Sequence, residues 1–431
     1  MVQPHMLTII TTISSIQPST PAIYKKLVLI NYNLSGLISS QINKLQDLLV
    51  LILHRNHLSG TLPEELWTLK KLRKIGLGKN KFIGSISLSV GNLLLLKRFH
   101  LYNNYLTGSI PFTVGNLNNL RYLDLSNNTL KGSIPLSIYN MKLLQHLYFG
   151  NNSLVGSIHS SIGNLYELQY LYLSFNRMTG PIPSSIGNLN ELQHLHLSDN
   201  LLTGSIPSTI GNLFKLQYLY LSFNRLSGLI PLPLGNLIEL LDLYLSNNRL
   251  MGSIPSAIGN LGKLQAIDLS YNLLTKSVPS SIWSLKLINY FDVSNNLLTG
   301  SIPSTIGKLQ KLEYIYWYGN TLTESIPSVV GNLNQLLWID LSINSLTGSI
   351  PFTVGKLKQL QGFYVANNIL TGSIPSSIGN LDRLQVINFG INLLTSSIPS
   401  TIRNLPKLKY IYFFNNILTG SIPSFVGNLS R

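Results

Sequence analysis

Asparagine recurs every 24 residues along this chain, from Asn56 through Asn80, Asn104 and Asn128 to Asn416, sixteen times without a gap. Only Tyr32, one period upstream, departs from the register. Four residues after these positions stands a glycine, at 36, 60, 84, 108, 132, 156, 180, 204, 228, 252, 300, 348, 372 and 420, with Lys276, Glu324 and Ser396 in the other slots. No insertion or deletion interrupts the seventeen units. A fixed period of this size means that each unit cannot bury its apolar stripe alone, so the core forms by stacking neighbours. A chain of 431 residues would ordinarily divide into about two or three domains. Here the period predicts one solenoid over 27–431 instead.

Residues 120–143 show how one unit works. Leu123 and Leu125 alternate with Tyr122, Asp124 and Ser126, the period-two pattern of a short half-buried strand. Counted back from the ladder asparagine, positions −5 and −3 then point inward, and −6, −4 and −2 point outward. Asn128 turns inward, where its amide can satisfy backbone groups left unpaired as the chain leaves the strand. Repeated along the chain, those amides would form a ladder, each bond contributing about 1 kcal/mol and costing more when left unpartnered. Gly132 fits a tight backbone and Pro135 ends regular pairing. Ile134, Ile138 and Met141 complete the core, with a short turn or 3-10 stretch near Ser137–Asn140. The predicted fold is a β-rich repeat solenoid, in the α/β class by convention. It should have about seventeen strands, from Leu27–Leu29 to Ile411–Phe413.

The unit Leu-x-x-Leu-x-Leu-x-x-Asn-x-Leu-x-Gly-x-Ile-Pro resembles the leucine-rich repeat. The stretch from Leu201 to Leu213, Leu-Leu-Thr-Gly-Ser-Ile-Pro-Ser-Thr-Ile-Gly-Asn-Leu, is similar to the plant-type 24-residue subclass. That subclass is found in receptor-like kinase ectodomains, receptor-like proteins and polygalacturonase-inhibiting proteins. The resemblance covers residues 27–431, about 94% of the chain. It implies a right-handed superhelix with a concave parallel sheet, short 3-10 or irregular convex segments, and extra short strands near Gly-Ser-Ile-Pro. Secreted relatives usually carry cysteine-paired caps, which a chain without cysteine cannot form. Residues 1–26 are a poorly defined segment, a candidate signal peptide or cap, and the last repeat stops midway at Arg431. The ends therefore read either as those of a fragment of a longer protein or as capped in another way.

Absence of cysteine also excludes zinc-thiolate sites and cysteine nucleophiles. No Ser/His/Asp arrangement, phosphate loop or paired-carboxylate motif stands out, so neither enzyme activity nor a cofactor is expected. Of the 21 tyrosines, fifteen occupy the three outward strand positions, where chance would place between two and three. Trp338 joins them. The net charge is +16, yet beyond Arg98 the outward positions hold no Lys or Arg; they do hold Asp124, Asp242, Asp268, Asp292 and Asp340. That runs against nucleic acid in the groove, since phosphate binding needs cations where the polymer lies. Twelve of the 31 basic residues fall between Lys25 and Arg98; they suit acidic polysaccharide, membrane headgroups, or simply solvent. His194 and His196 share a strand face, but His146 is two strands away, roughly 9–10 Å. No metal site is expected.

The candidate ligand-binding residues are Tyr148, Tyr170, Tyr172, His194, His196, Tyr218, Tyr220, Asp242, Tyr244, Asp268, Asp292, Tyr314, Tyr316 and Trp338. The rings from Tyr170 to Tyr244 should form one patch some 15 Å across on four strands. Asp242, Asp268 and Asp292 would border it, and Tyr290, Tyr314, Tyr316 and Trp338 extend it. Tyrosine gives large contact area with a polar tip; the alternative is that these rings merely stack on cross-strand neighbours. The expected function is non-catalytic recognition of a peptide, protein or glycan on the concave face, with a co-receptor as a further partner. An extracellular enzyme inhibitor and a structural scaffold are the alternatives. Sequons at Asn33, Asn127, Asn151 and Asn428 fit an extracellular or cell-surface place; a membrane would be met only through segments outside this chain.

Overall fold

A computed structural model describes residues 25–421. The expected signal or cap before Lys25 and the sequon at Asn428 lie outside the described residues. Contacts group the chain into two compact units, divided between Leu216 and Gln217.

In the first unit, eight three-residue strands pair in parallel, from Lys26–Val28 and Val50–Ile52 to Tyr170–Tyr172 and His194–His196. In the second, nine run from Tyr218–Tyr220 to Tyr410–Tyr412. Partners always differ by one period, as Tyr122 and His146 do. The strands span −6 to −4, one residue earlier than the sequence pattern placed them. The cause lies just downstream. The residue before each ladder asparagine is left-handed, with φ of +54° at Asn127 and +53° at Asn247, so extended pairing cannot continue. Phe175, Phe223, Tyr271, Ile343 and Ile391 take this conformation too, although bulky side chains disfavour it.

Leu123 and Leu125 are fully buried, as are Ile138 and Met141 from the opposite wall. Asn128 closes the strand end: its Nδ2 donates to the carbonyls of Leu125 (3.1 Å) and Ser126 (3.2 Å), and across the repeat boundary to Leu101 (3.1 Å). Its Oδ1 accepts from the amide of Leu106 at 3.0 Å. The ladder thus runs from side chain to neighbouring backbone rather than from amide to amide. Gly132 sits at φ +75°, and where glycine is replaced Lys276, Glu324 and Ser396 keep the same left-handed turn.

Pro135 starts a 3-10 turn, Leu136–Asn140, and an equivalent five-residue turn follows in other repeats of both units, such as Ser256–Asn260. Where the second residue of the turn is Ser or Thr, its hydroxyl commonly ties the turn to the one before, as Thr209 Oγ1 does to the Ser184 carbonyl at 2.6 Å. The glycine inside the turn permits this approach, because a Cβ at Gly163 would lie 2.6 Å from the Ser185 carbonyl oxygen. Additional short strands flank the Gly-Ser-Ile-Pro segments, among them Lys81–Ser85 beside Tyr105–Thr107 in the first unit and Arg249–Ser253 beside Leu273–Lys276 in the second.

Candidate ligand-binding face

The strand face is built from positions −6 and −4, which each three-residue strand turns away from the core. Position −2, expected to face outward, is less exposed than that in part of the second unit. Ser246, Ser270 and Ser294 are buried there, at 2%, 4% and 0% exposure. The short hydroxyl is covered there by the neighbouring carboxylate on the same face: Ser270 Oγ donates to Asp268 Oδ1, and Ser294 Oγ to Asp292 Oδ1, both at 2.6 Å. Ser126, Ser174 and Ser198 at −2 remain half-buried, as do the longer Tyr102 and Tyr318.

The expected patch from Tyr170 to Tyr244 draws on both units, and each group belongs to its own surroundings. In the first unit the rings form columns. Tyr122 and His146 lie 4.7 Å apart, His146 and Tyr170 4.5 Å, and Tyr170 and His194 4.5 Å. Alongside, Tyr148 and Tyr172 are 4.8 Å apart, and Tyr172 and His196 4.0 Å. These separations match the strand spacing, so faces cover faces and a ligand meets ring edges, hydroxyls and nitrogens. The Tyr172 hydroxyl, for example, is 2.9 Å from His194 Nδ1. Burial holds His196 down to about 3, helped by His194. His100 is likewise near 3, through burial first and then the charges of His54, Lys74 and Arg98, and its Nε2 is buried without a hydrogen-bond partner. Burial also lowers His54, His146 and His194. The columns are therefore neutral at physiological pH.

The second unit is arranged otherwise. Tyr220 donates to Asp242 Oδ2 at 2.6 Å, and its ring is inclined 60° to that of Tyr244. Tyr290 is inclined 45° to Tyr314 and 55° to Tyr316, at 6.1 and 5.9 Å, which leaves ring faces uncovered. Between them opens a depression of ≈ 530 Å³ lined by Tyr290, Asp292, Tyr314, Tyr316, Tyr318 and Asp340. Burial raises the Asp292 carboxyl to about 6 against the pull of the Ser294 hydrogen bonds, with the Asp268 charge adding to the rise. Burial raises Asp340 as well, and it pushes the Tyr316 and Tyr318 hydroxyls up to about 12. Asp268 stands beside Asp292 on the neighbouring strand, outside the lining. Trp338 is also outside it: the indole lies over Gly362, where a Cβ would collide with it, and stacks on Tyr364 at 5.9 Å.

Sequence reasoning thus named Asp292, Tyr314 and Tyr316 of the depression as site residues, and set Tyr290 beside them as an extension. It did not single out Tyr318 or Asp340 for the site, nor Tyr271, whose hydroxyl meets that of Tyr318 at 3.0 Å from a left-handed turn position. The signal was a third consecutive outward tyrosine after Tyr314 and Tyr316. Asn33 and Asn151 are exposed and Asn127 half-buried; the Asn151 amide donates to Asn127 Oδ1 at 2.7 Å. Among the described residues no three His, Asp or Glu side chains are placed to share a metal ion.

Two family models described as leucine rich repeat match this sequence, one over 94–154, 166–226 and 238–298, the other over 47–69, 288–309, 359–381 and 407–429. Together they cover more than half of the chain. It is a leucine-rich-repeat protein. No curated protein sequence matches it. Among solved structures, the leucine-rich-repeat chain is similar to the Arabidopsis receptor kinase HAESA, determined with the peptide hormone IDA and the co-receptor SERK1. The identity is 33%, the match covers 95% of this chain and 68% of that one, and the TM-score is 0.90. It is similar to the plant peptide hormone receptor RGFR1, determined with RGF2, at 30% identity, 94% and 80% coverage and a TM-score of 0.72. A protein of Leptospira interrogans, LIC12759, also matches at 29% identity, 90% and 93% coverage and a TM-score of 0.63.

Proposed function

We propose that this leucine-rich-repeat chain is a non-catalytic recognition module of the receptor-ectodomain kind, which binds a peptide or protein ligand on its strand face outside the cell. One observation carries the reading. The outward strand positions hold half-buried polar aromatics and carboxylates through repeat after repeat, where a sheet built only to cover a core could carry any polar side chain. The likeness to HAESA with IDA and SERK1, and to RGFR1 with RGF2, supports a peptide as the ligand and a co-receptor as a second partner. The exposed sequons at Asn33 and Asn151 fit glycosylation on an extracellular protein.

The test is selection of a displayed random-peptide library on the full chain, followed by binding to two face variants. Tyr170→Ala with Tyr172→Ala alters the first unit, and Tyr218→Ala with Tyr220→Ala the second. All four rings lie off the core, so both variants should fold. Selected peptides should bind at least one variant more weakly by about 1–3 kcal/mol. Peptides that bind both variants as well as the parent chain would place recognition elsewhere.

A further inference from the structure

We infer that the depression walled by Tyr290, Tyr314, Tyr316 and Tyr318 is a socket for a cationic group, the guanidinium or ammonium of a basic residue on the ligand. The inference rests on the strand face being the recognition surface and names the chemistry that one part of it takes.

Charge gives the first reason. From Tyr218 to Phe414 the outward positions carry four carboxylates, Asp242, Asp268, Asp292 and Asp340, and no Lys, Arg or His, in a chain of net charge +16. The ion pairs among the described residues are Lys71 with Asp47, Lys215 with Glu191 and Lys263 with Glu239, none of them on this face. The protein has cations to spare and places none beside these acids. A carboxylate drawn out of water without a counter-charge is costly, and an incoming cation removes that cost.

The oxygens give the second reason. Asp340 accepts from the Ser342 amide at Oδ1 (2.9 Å) and from the Ser342 hydroxyl, with no partner from any other described residue, so it has capacity for a further donor. Asp292 commits Oδ1 to Ser294, while Oδ2 receives only a long 3.3 Å bond from the Tyr290 hydroxyl. The two acceptors stand on either side of Tyr316, two strand spacings or roughly 9–10 Å apart at the backbone, so a multiple donor seated over the middle strand has a carboxylate oxygen on each side.

The rings give the third. Four tyrosine rings and two carboxylates line the same space, with Tyr290 inclined to both Tyr314 and Tyr316, and a cation there gains from ring and carboxylate at once. The volume of ≈ 530 Å³ admits a long side chain with its flanking backbone. An anion would meet two carboxylates, and an aliphatic side chain would leave their oxygens unpartnered. The rise of Asp292 to about 6, driven first by burial and increased by the Asp268 charge, agrees with the charge argument, since an incoming cation would favour its ionised form.

The experiment uses the full chain with isotope-labelled tyrosine rings, followed by NMR while N-acetyl-arginine methylamide is added. N-acetyl-citrulline methylamide, the same shape without the charge, is the control. At pH 7.5 the arginine probe should shift the signals of Tyr290, Tyr314, Tyr316 and Tyr318, assigned by single Tyr→Phe changes, and the citrulline probe should bind at least about tenfold more weakly. Asp292→Asn with Asp340→Asn should weaken the arginine probe by at least about tenfold, and so should pH 5. If the double variant misfolds, Asp340→Asn alone replaces it, because the Asn oxygen can still accept from the Ser342 amide. Equal binding of the two probes, undiminished binding to the Asn variants, shifts at other tyrosines, or no response would each overturn the socket. Library peptides sensitive to the face variants but indifferent to Asp340→Asn would sink the socket and leave the recognition reading standing. Arginine seated in the socket with no face-dependent peptide would do the reverse.

Discussion

At the residue scale, the ladder asparagine and the residue before it have opposite histories. The asparagine is legible from sequence because its period is unbroken and its chemistry has one reading: a buried amide that must satisfy backbone on both sides. Asn272 holds the carbonyls of Leu245, Leu269 and Ser270 and the amide of Leu250. Asn272→Ala strands those groups, and we expect the opening free energy at the Leu250 amide to fall by about 3 kcal/mol. Hydrogen exchange at that amide reads it directly; an unchanged rate would mean that water replaces the side chain without loss. The position before the asparagine was not legible. Asn127, Asn247 and Asp199 tolerate a left-handed backbone, but Phe175, Phe223 and Ile343 at the same position conceal the rule. Ile343 is half exposed and β-branched at φ +55°, so Ile343→Asn should raise local stability by about 1 kcal/mol, read as slower exchange in the adjoining repeats. A loss of protection there would show that the exposed Ile343 side chain contributes more by packing than its backbone costs.

At the scale of the element, the strand pattern gave the inward leucines correctly and overstated the exposure of position −2, where Ser246, Ser270 and Ser294 are covered by their neighbours. The same short strands make two different surfaces, stacked columns in one unit and tilted rings in the other, and the difference should appear on acidification. His100 and His196 stay neutral in the folded chain down to about 3, whereas an unfolded histidine takes its proton near 6.5. Below 6.5 the unfolded chain therefore binds protons that the folded chain refuses, and stability falls as pH drops from 6.5 toward 3. The slope is about 1.4 kcal/mol per pH unit for each histidine as an upper bound. Asp292 has the opposite sign. Its folded value near 6 lies above 3.8, so between those values the folded chain binds more protons and gains stability as pH falls. Between pH 7 and 5, exchange corrected for intrinsic rates should show the first unit loosening around His100 and His196, with no matching loss around Asp292. His100→Phe should flatten part of that response. Equal loosening around His100, His196 and Asp292 would contradict the assignment of these shifts to burial.

At the scale of the molecule, the seventeen strands, the turns between them and the aromatic, acid-bearing lane were all readable from one sequence, since each follows from position within the period. The socket was not. It depends on ring tilt and on Tyr318 occupying a position where Ser246 and Ser294 are covered, and no spacing rule contains that. The repeat boundary has a consequence of a different kind. The bonds by which Asn128 and its equivalents cross a repeat boundary join residues 22 or 27 apart, and paired strands of the face differ by 24. Remove residues 129–152 and Asn128 takes over the place of Asn152, accepting the same Leu106 amide, while Asn176 finds the Leu125 carbonyl where it had that of Phe149. The shortened chain should fold with the same spectrum per residue and one column member fewer. Excision of residue 140 alone should instead melt the repeats around it, and equal tolerance of the two deletions by circular dichroism would refute the point. Length here is quantised: the chain can gain or lose whole periods and re-form every bond, and each such edit changes which side chains stand next to one another on the face a ligand meets.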